Sequence, residues 1–244
     1  MIIDMHSHIL PGADHGSDSV KTSLAQLARA RKAKVDVILA TPHFYHHRDN
    51  IDDFLARRQK CYEKLSEAMK TNGYDAIQVF LGAEVTLEVD LLREKRLPEL
   101  CIQGTNRLLL EMPADVKWTE WVYNAVYEIE AKYRIEPIIA HIDRYESKQT
   151  AKLLEMGVDA QINASSLCRF SQRGKMMKYV KQGIVKFLGS DIHGPESPEY
   201  DEFAKGVKVL GDYADDIMTN SARALGLIKS KIETGVQSAG GLIF

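Results

Sequence analysis

The chain has 244 residues, of which 45% are hydrophobic, and its formal net charge is −2. This length and apolar content suit one globular domain, and the nearly balanced charge excludes a basic footprint for nucleic acid. No apolar run reaches the roughly 18 residues of a membrane-spanning helix. Asp4 stands where a secretion signal needs basic and then apolar residues. We therefore expect a cytoplasmic protein that does not insert into membranes.

Seven short apolar runs recur along the chain, each with the length of a buried parallel strand. They are residues 1–3, 37–40, 79–81, 108–110, 137–140, 160–164 and 185–189. Apolar residues at helical spacing lie between them: Val20, Leu24, Leu27 and Ala28; Phe54, Leu55, Tyr62, Leu65 and Met69; Trp118, Trp121, Ala125 and Ile129. This alternation predicts an α/β fold, a TIM-like (β/α)7 barrel in one domain over residues 1–233. Residues 234–244, rich in glycine, are predicted to form a flexible tail.

Residues that commonly bind metals stand at the ends of six of these runs. His6 and His8 follow the first run at i, i+2, which places both rings on one face of a strand. Later runs lead to His43, Glu84, Glu111, His141 and the pair Asp191 and His193. The C-terminal strand ends of a parallel barrel converge, so we expect one polynuclear metal centre there. Imidazole and carboxylate ligands without thiolate favour manganese, iron or zinc.

Seven motifs, taken in order, carry a resemblance to a known family. They are His6-x-His8, Leu10-Pro11-Gly12-Ala13-Asp14, Thr41-Pro42-His43, Gly82-Ala83-Glu84, Glu111-Met112, His141-x-x-Arg144-Tyr145 and Ser190-Asp191-x-His193. The set resembles the PHP superfamily, and within it the manganese-dependent protein-tyrosine phosphatases of bacterial capsular and exopolysaccharide operons. The resemblance implies a distorted seven-stranded barrel and three divalent metal ions, with manganese the expected metal.

The resemblance also implies a role for each ligand. The first ion would be held by His6, His8, Glu84 and Asp191, the second by Asp14, His43 and His193, and the third by Glu84, Glu111 and His141. A hydroxide bridging such ions is a nucleophile at neutral pH. Arg144 would clamp the phosphoryl group, although a structural salt bridge to Asp143 or Glu146 is the alternative.

Three functions are compatible with this centre. The family implies hydrolysis of phosphotyrosine on a protein, with the tyrosine-rich tail of a polysaccharide-export kinase as the expected substrate. A small-molecule phosphatase such as histidinol-phosphate phosphatase would use the same ligands, and a non-catalytic, metal-stabilised PHP module is the third alternative. The sequence does not define the oligomeric state, and a homo-oligomer is compatible with it.

One departure from the family follows His193. The segment reads Gly194-Pro195-Glu196-Ser197-Pro198, where the family carries an asparagine and then a second phosphate-binding arginine. The missing arginine bears on substrate identity more than on hydrolysis. His15, His46 and His47 receive no role from the motifs, although the last two are expected in a loop at the mouth of the site. Asn163 fits either a strand cap or a residue that supports a ligand.

A rival phosphatase motif is also present. Cys101 and Arg107 have the C-x5-R spacing by which cysteine-dependent phosphatases bind phosphate. Such chemistry needs a strand before the cysteine and a helix that begins at the arginine. Here Arg107 enters a predicted strand instead, so we interpret the match as coincidental. The three cysteines, Cys61, Cys101 and Cys168, contain no C-x-x-C pair and suit reduced thiols.

Overall fold

The fold is an alternation of parallel strands and helices, seen in a computed structural model that describes residues 1–113, 116–194 and 198–228. The strands are β1 (Ile3–Ser7), β2 (Val37–Ala40), β3 (His43–Phe44), β4 (Gln78–Leu81), β5 (Glu84–Thr86), β6 (Arg107–Glu111), β7 (Glu136–Ile139), β8 (Asp159–Asn163) and β9 (Val185–Gly189). The helices are α1 (Val20–Lys32), α2 (Ile51–Thr71), α3 (Glu120–Tyr133), α4 (Ser147–Glu155), α5 (Ala164–Cys168), α6 (Phe170–Lys181), α7 (Glu199–Leu210) and α8 (Tyr213–Ala224). Short 3-10 helices cover Val89–Arg93, Leu97–Leu100 and Ile142–Arg144. The predicted tail, residues 234–244, lies outside the described residues.

Each predicted apolar run contributes to a strand, but two of the runs continue after a break. Strand β3 follows β2 after Thr41 and Pro42, and β5 follows β4 after Gly82 and Ala83. Proline has no N–H to donate to a strand ladder, which accounts for the first interruption. The second lies beside it, where Gly82 N donates to Ala40 O and Glu84 N to Pro42 O.

The predicted closed barrel is wrong for the described residues, whose strands form two parallel sheets. One sheet has the order β1-β2-β4 and the other β3-β5-β6-β7-β8-β9. The paired breaks after β2 and β4 separate the sheets on one side. On the other side the described residues of β1 and β9 form no continuous ladder, and strand pairing is limited to an isolated bridge between Ser7 and Ile192. Asp191, which precedes this bridge, leaves the extended conformation at φ 57°. The ring of strands therefore approaches closure without a continuous ladder.

Helices cover the outer faces of the sheets and bury an extended apolar core. Helix α3 packs on β7, α6 on β9, and α8 on both β1 and β9. Core side chains with no exposed surface include Ile3, Leu39, Val85, Leu108 and Ile139. Trp118, predicted to lie on the third helix, precedes α3, which begins at Glu120. None of the helices in the described part of the chain combines the length and apolar composition needed to cross a bilayer.

Candidate metal centre

The structure brings the predicted ligands together at the C-terminal side of both sheets. Four lie on strands and four lie just after a strand end: His6, His43, Glu84 and Glu111; His8, His141, Asp191 and His193. All strand pairs are parallel, so their C-terminal ends share one side. Residues up to 187 positions apart in sequence thus surround one small volume.

Glu84 lies at the centre of this cluster and contacts four imidazoles. Its Oε2 atom is 3.1 Å from His6 Nε2, 3.2 Å from His8 Nε2 and 3.1 Å from His43 Nδ1. Its Oε1 atom is 2.7 Å from His141 Nε2. One buried carboxylate therefore faces ligand atoms from β1, from β3 and from the residues that follow β1 and β7, which suits a residue that bridges metal ions.

Three groups of ligand atoms lie close enough together to share an ion. In each group the atoms are within 4.8 Å of one another: His6, His8 and Asp191; His8, His43 and His193; His43, Glu84 and Glu111. Each group shares at least two residues with one of the sets implied by the family. His141 adjoins the third group, with Nε2 at 3.6 Å from Glu111 Oε1.

Asp14 reaches the centre from the loop after β1, but it lies behind a ligand histidine. Its Oδ2 atom is 2.7 Å from His8 Nδ1 and also accepts a hydrogen bond from His43 N. Its Oδ1 atom accepts from Gly16 N. A carboxylate bound to the far nitrogen of an imidazole orients the ring toward a metal. Asp14 is thus placed at the site without joining any of the three groups.

The electrostatics favour neutral rings at His43 and His193 and an ionised carboxylate at Glu84. Burial lowers the pKa of His43 to about 3 and that of His193 to about 4. Burial also acts to lower the pKa of His6, but the charges of Glu84 and Asp191 outweigh it and raise that pKa. Burial would raise the pKa of Glu84, yet the surrounding imidazoles, His6 first, hold it well below its usual range. Deprotonated imidazole and ionised carboxylate are the states that bind cations.

Two ligands have a strained backbone. His141 has φ 31° and Asp191 has φ 57°, both in the left-handed region that residues with a side chain rarely adopt. Such a conformation costs roughly 1–3 kcal/mol and persists only where the surrounding structure enforces it. The strain turns both side chains at the ends of β7 and β9 toward the centre.

Gln161 and Asn163, on the strand without a predicted ligand, hold three of the ligands in place. The Gln161 Oε1 atom accepts a hydrogen bond from His141 N at 2.7 Å and lies 3.3 Å from His6 Nδ1. Gln161 Nε2 donates to Asn163 Oδ1, and Asn163 Nδ2 donates to Asp191 Oδ2 at 2.8 Å. Sequence reasoning missed Gln161 and left Asn163 open. The available signal was two amides at i, i+2 in an otherwise apolar run.

Arg144 lies at the rim of the centre, with half of its side chain exposed. Its Nη2 atom contacts Asp191 Oδ2. The salt-bridge alternative named Asp143 or Glu146 as its partner, whereas the observed partner is a predicted metal ligand. Arg144 can therefore present its remaining N–H groups to a ligand bound at the mouth.

The other predicted features fall outside the ligand groups. His15 is exposed and stacks on His43, with ring centroids 4.6 Å apart. His47 pairs with Glu88 at 2.7 Å. Burial raises the pKa of the Cys101 thiol to about 12, which opposes thiolate chemistry. Arg107, the arginine of the C-x5-R match, is bound to Glu136 and Asp159 on neighbouring strands.

The centre fits divalent cations. Among the described residues, three of its buried atoms have no hydrogen-bond partner: His43 Nδ1, Glu84 Oε2 and Asp191 Oδ1. A buried charged oxygen without a partner is costly, so such atoms indicate an ion or another polar group that the protein binds. The donor set of imidazole and carboxylate suits manganese, iron or zinc.

The chain is similar to two named tyrosine-protein phosphatases. The tyrosine-protein phosphatase CpsB of Streptococcus agalactiae serotype III is 24% identical over 216 residues, covering 79% of this chain and 83% of that protein. The tyrosine-protein phosphatase YwqE of Bacillus subtilis is 26% identical over 215 residues, covering 82% of this chain and 80% of that protein.

The fold is also that of a solved relative. A chain from the crystal structures of YwqE from Bacillus subtilis and CpsB from Streptococcus pneumoniae, described as metal-dependent tyrosine phosphatases, superposes with a TM-score of 0.78. It is 20% identical and covers 93% of this chain and 96% of its own. A family model described as capsular polysaccharide synthesis, CpsB/CapC, matches residues 2–225. The resemblance expected from the motifs is confirmed, and the chain belongs to the CpsB/CapC family of capsular polysaccharide synthesis.

Proposed function

We propose that the chain is a metal-dependent phosphatase that hydrolyses phosphotyrosine on a protein. The observation that carries the proposal is the centre around Glu84, where buried carboxylate oxygens without hydrogen-bond partners face four imidazoles. The names of the Streptococcus and Bacillus relatives support the same reaction. Membership of the family adds the biological setting, capsular polysaccharide synthesis.

Three divalent ions, with manganese the expected metal, would occupy this centre. The residues proposed to hold or orient them are His6, His8, Asp14, His43, Glu84, Glu111, His141, Asp191 and His193. Bound divalent ions would lower the pKa of water toward about 7 and offset the charge that develops on the phosphoryl oxygens. The neutral His43 and His193 rings offer lone pairs, while ionised Glu84 and Asp191 supply negative charge.

Arg144 is the proposed catalytic residue of the protein itself. Its contact with Asp191 fixes one end of the guanidinium at the edge of the centre, and its exposed half faces solvent. A guanidinium can bind two phosphoryl oxygens at once, which positions the group and stabilises its growing charge. Arg144 would thus orient the phosphoryl group over the cluster.

The proposed substrate is the tyrosine-rich tail of a polysaccharide-export kinase. This choice follows from the family, whose members act in capsular polysaccharide synthesis by their description. A cytoplasmic location stays a prediction from the sequence, and so does any assembly into a homo-oligomer.

The proposal is tested by metal analysis together with turnover of two substrates. We expect the purified protein to contain divalent metal and to hydrolyse a phosphotyrosyl peptide faster than histidinol phosphate, with loss of both activities in EDTA and recovery with Mn²⁺. Faster turnover of histidinol phosphate would indicate a small-molecule phosphatase instead of a protein-tyrosine phosphatase. Activity that persists without metal would refute the proposal itself.

Two variants separate metal binding from phosphate binding. Asp191→Ala is expected to lose metal and activity together, because this carboxylate contacts His6 and His8. Arg144→Ala is expected to keep its metal and lose about 100-fold in kcat, the cost of removing one charge-stabilising donor. Arg144→Lys keeps the charge but not the planar pair of donors, so it should recover only part of this loss. Normal turnover by Arg144→Ala would remove its proposed role.

A further inference from the structure

A cleft of 560 Å³ opens beside the metal centre, and neither the motifs nor the proposed reaction assigns it a role. It lies between the segment before α3 and the start of α4. Its lining combines aromatic rings with cationic side chains: Trp118, Tyr123 and Tyr145; Lys117, Arg144 and Lys148. One acidic residue, Glu146, also lines it.

The inner end of the cleft is the rim of the metal centre. Arg144 lines the cleft and contacts Asp191. Tyr145 also lines it, and its hydroxyl is 3.2 Å from His141 Nδ1. A substrate held at the centre by Arg144 would therefore extend directly into this cleft.

The floor of the cleft consists of buried aromatic rings. Trp118 is only 4% exposed, and its Nε1 atom donates a hydrogen bond to Pro113 O. The Trp118 ring packs against Tyr145 with centroids 5.1 Å apart, and against Tyr123 with centroids 6.2 Å apart. These buried rings give the cleft a fixed shape, so a ligand would bind without the cost of ordering its floor.

The walls of the cleft carry two lysines that have no ion pair among the described residues. Lys117 and Lys148 are exposed, and neither forms an ion pair or hydrogen bond within residues 1–113, 116–194 and 198–228. The neighbouring Lys152, in contrast, is paired with Glu120 at 2.6 Å. The whole chain has a net charge of −2, so this cationic cleft differs from the average surface and favours an anionic ligand.

We propose that this cleft binds a second anionic group of the peptide substrate, a carboxylate or a further phosphate, while the phosphotyrosine occupies the metal centre. The inference rests on the proposed function and adds a determinant of specificity to it. An extended peptide advances about 3.3–3.6 Å per residue, so the second anion would lie only a few residues from the phosphotyrosine. Lys117 and Lys148 would pair with it, and the aromatic floor would pack against the intervening side chains.

The test compares three phosphotyrosyl peptides of equal length. One has neutral flanks of glycine and serine, one has glutamate flanks, and one carries a second phosphotyrosine at two to five residues from the first. The metal-loaded protein is compared with Lys117→Gln/Lys148→Gln and with the control Lys60→Gln/Lys70→Gln, which removes the same charge from exposed positions of α2.

We expect the unaltered protein to show a lower KM for the anionic peptides than for the neutral one. In Lys117→Gln/Lys148→Gln this advantage should fall about fivefold, as expected for two exposed ion pairs, and the effect should lie in KM rather than kcat. The advantage should also shrink as salt rises. The control pair should keep the full preference.

The outcomes test anion binding in the cleft separately from phosphotyrosine hydrolysis. Equal KM values for neutral and anionic peptides, or equal effects of the two lysine pairs, would overturn the inference while leaving phosphotyrosine hydrolysis intact. A lower KM for both the glutamate peptide and the doubly phosphorylated peptide would show that the cleft binds either anion. A lower KM for the doubly phosphorylated peptide alone would show that it binds phosphate. If no peptide is hydrolysed, the proposed function fails. Anion binding by the cleft is then tested by fluorescence anisotropy, which compares the affinities of labelled neutral and anionic peptides that carry a non-hydrolysable phosphotyrosine analogue.

Discussion

Gln161 supports two of the proposed metal ligands through a single amide oxygen, which makes it the most informative position to change. Its Oε1 atom accepts from His141 N at 2.7 Å and faces His6 Nδ1 at 3.3 Å. In the second contact a proton on His6 Nδ1 would donate to the amide oxygen, which would leave Nε2 available to bind a metal ion beside Glu84 and Asp191. Gln161→Met preserves the approximate volume of the side chain but removes the amide.

The expected loss follows from the two contacts. The His141 N–H would be buried without an acceptor, at a cost of about 1–3 kcal/mol in the free energy of unfolding. The His6 ring would lose its orienting partner, and loss of such a partner typically lowers metal affinity by about 10–100-fold. We therefore expect a lower urea midpoint for the metal-free protein and, separately, weaker binding of Mn²⁺.

The two effects are measured by urea unfolding followed by circular dichroism and by competition for Mn²⁺ with a chromophoric chelator. Gln26→Met is the matched control, because Gln26 is equally buried and its amide has no hydrogen-bond partner among the described residues. This control should leave metal affinity unchanged and should not lower stability. An unchanged urea midpoint and unchanged affinity for Gln161→Met would refute the role assigned to Gln161.

Three further predictions address packing, metal and the rival motif. Gly189→Ala should lower the free energy of unfolding by about 1–3 kcal/mol, because an added Cβ would lie 2.5 Å from His6 Cβ and 2.6 Å from Gln161 Nε2; an unchanged urea midpoint would contradict this packing. EDTA should lower the melting temperature by roughly 5–10 °C relative to protein with free metal at about 100 times its Kd, because a metal that binds one site of the folded state stabilises that state. An unchanged melting temperature would argue against bound metal. Cys101→Ser should retain kcat/KM for phosphotyrosyl peptide with metal present, since burial raises the pKa of this thiol to about 12. Loss of activity while the metal stays bound would instead indicate a thiolate mechanism.

Local patterns predicted the strands well but did not predict how they join. The apolar runs at residues 37–40 and 79–81 became β2 and β4, yet each is followed by a short extra strand. The break at Pro42 is a local property of proline, whereas the separation into two sheets depends on two breaks that lie side by side. Helix α1 shows the same limit: its predicted stripe included Ala28, which is exposed, while Gln26 is fully buried.

The sequence alone predicted a set of candidate metal-binding residues and the end of the strands at which they stand. Apolar runs lead to His6, His43, Glu84 and His141. Neighbouring parallel strands place their C-terminal ends on the same side, so these residues are expected on one side of the fold. Only the tertiary structure decided the contacts among them: Asp14 behind His8, Arg144 on Asp191, and Gln161 beneath His6 and His141. Those contacts depend on strand register, on loop paths and on the left-handed backbone at His141 and Asp191. Such features arise from packing between segments far apart in the chain, which the periodicity of any one segment does not encode.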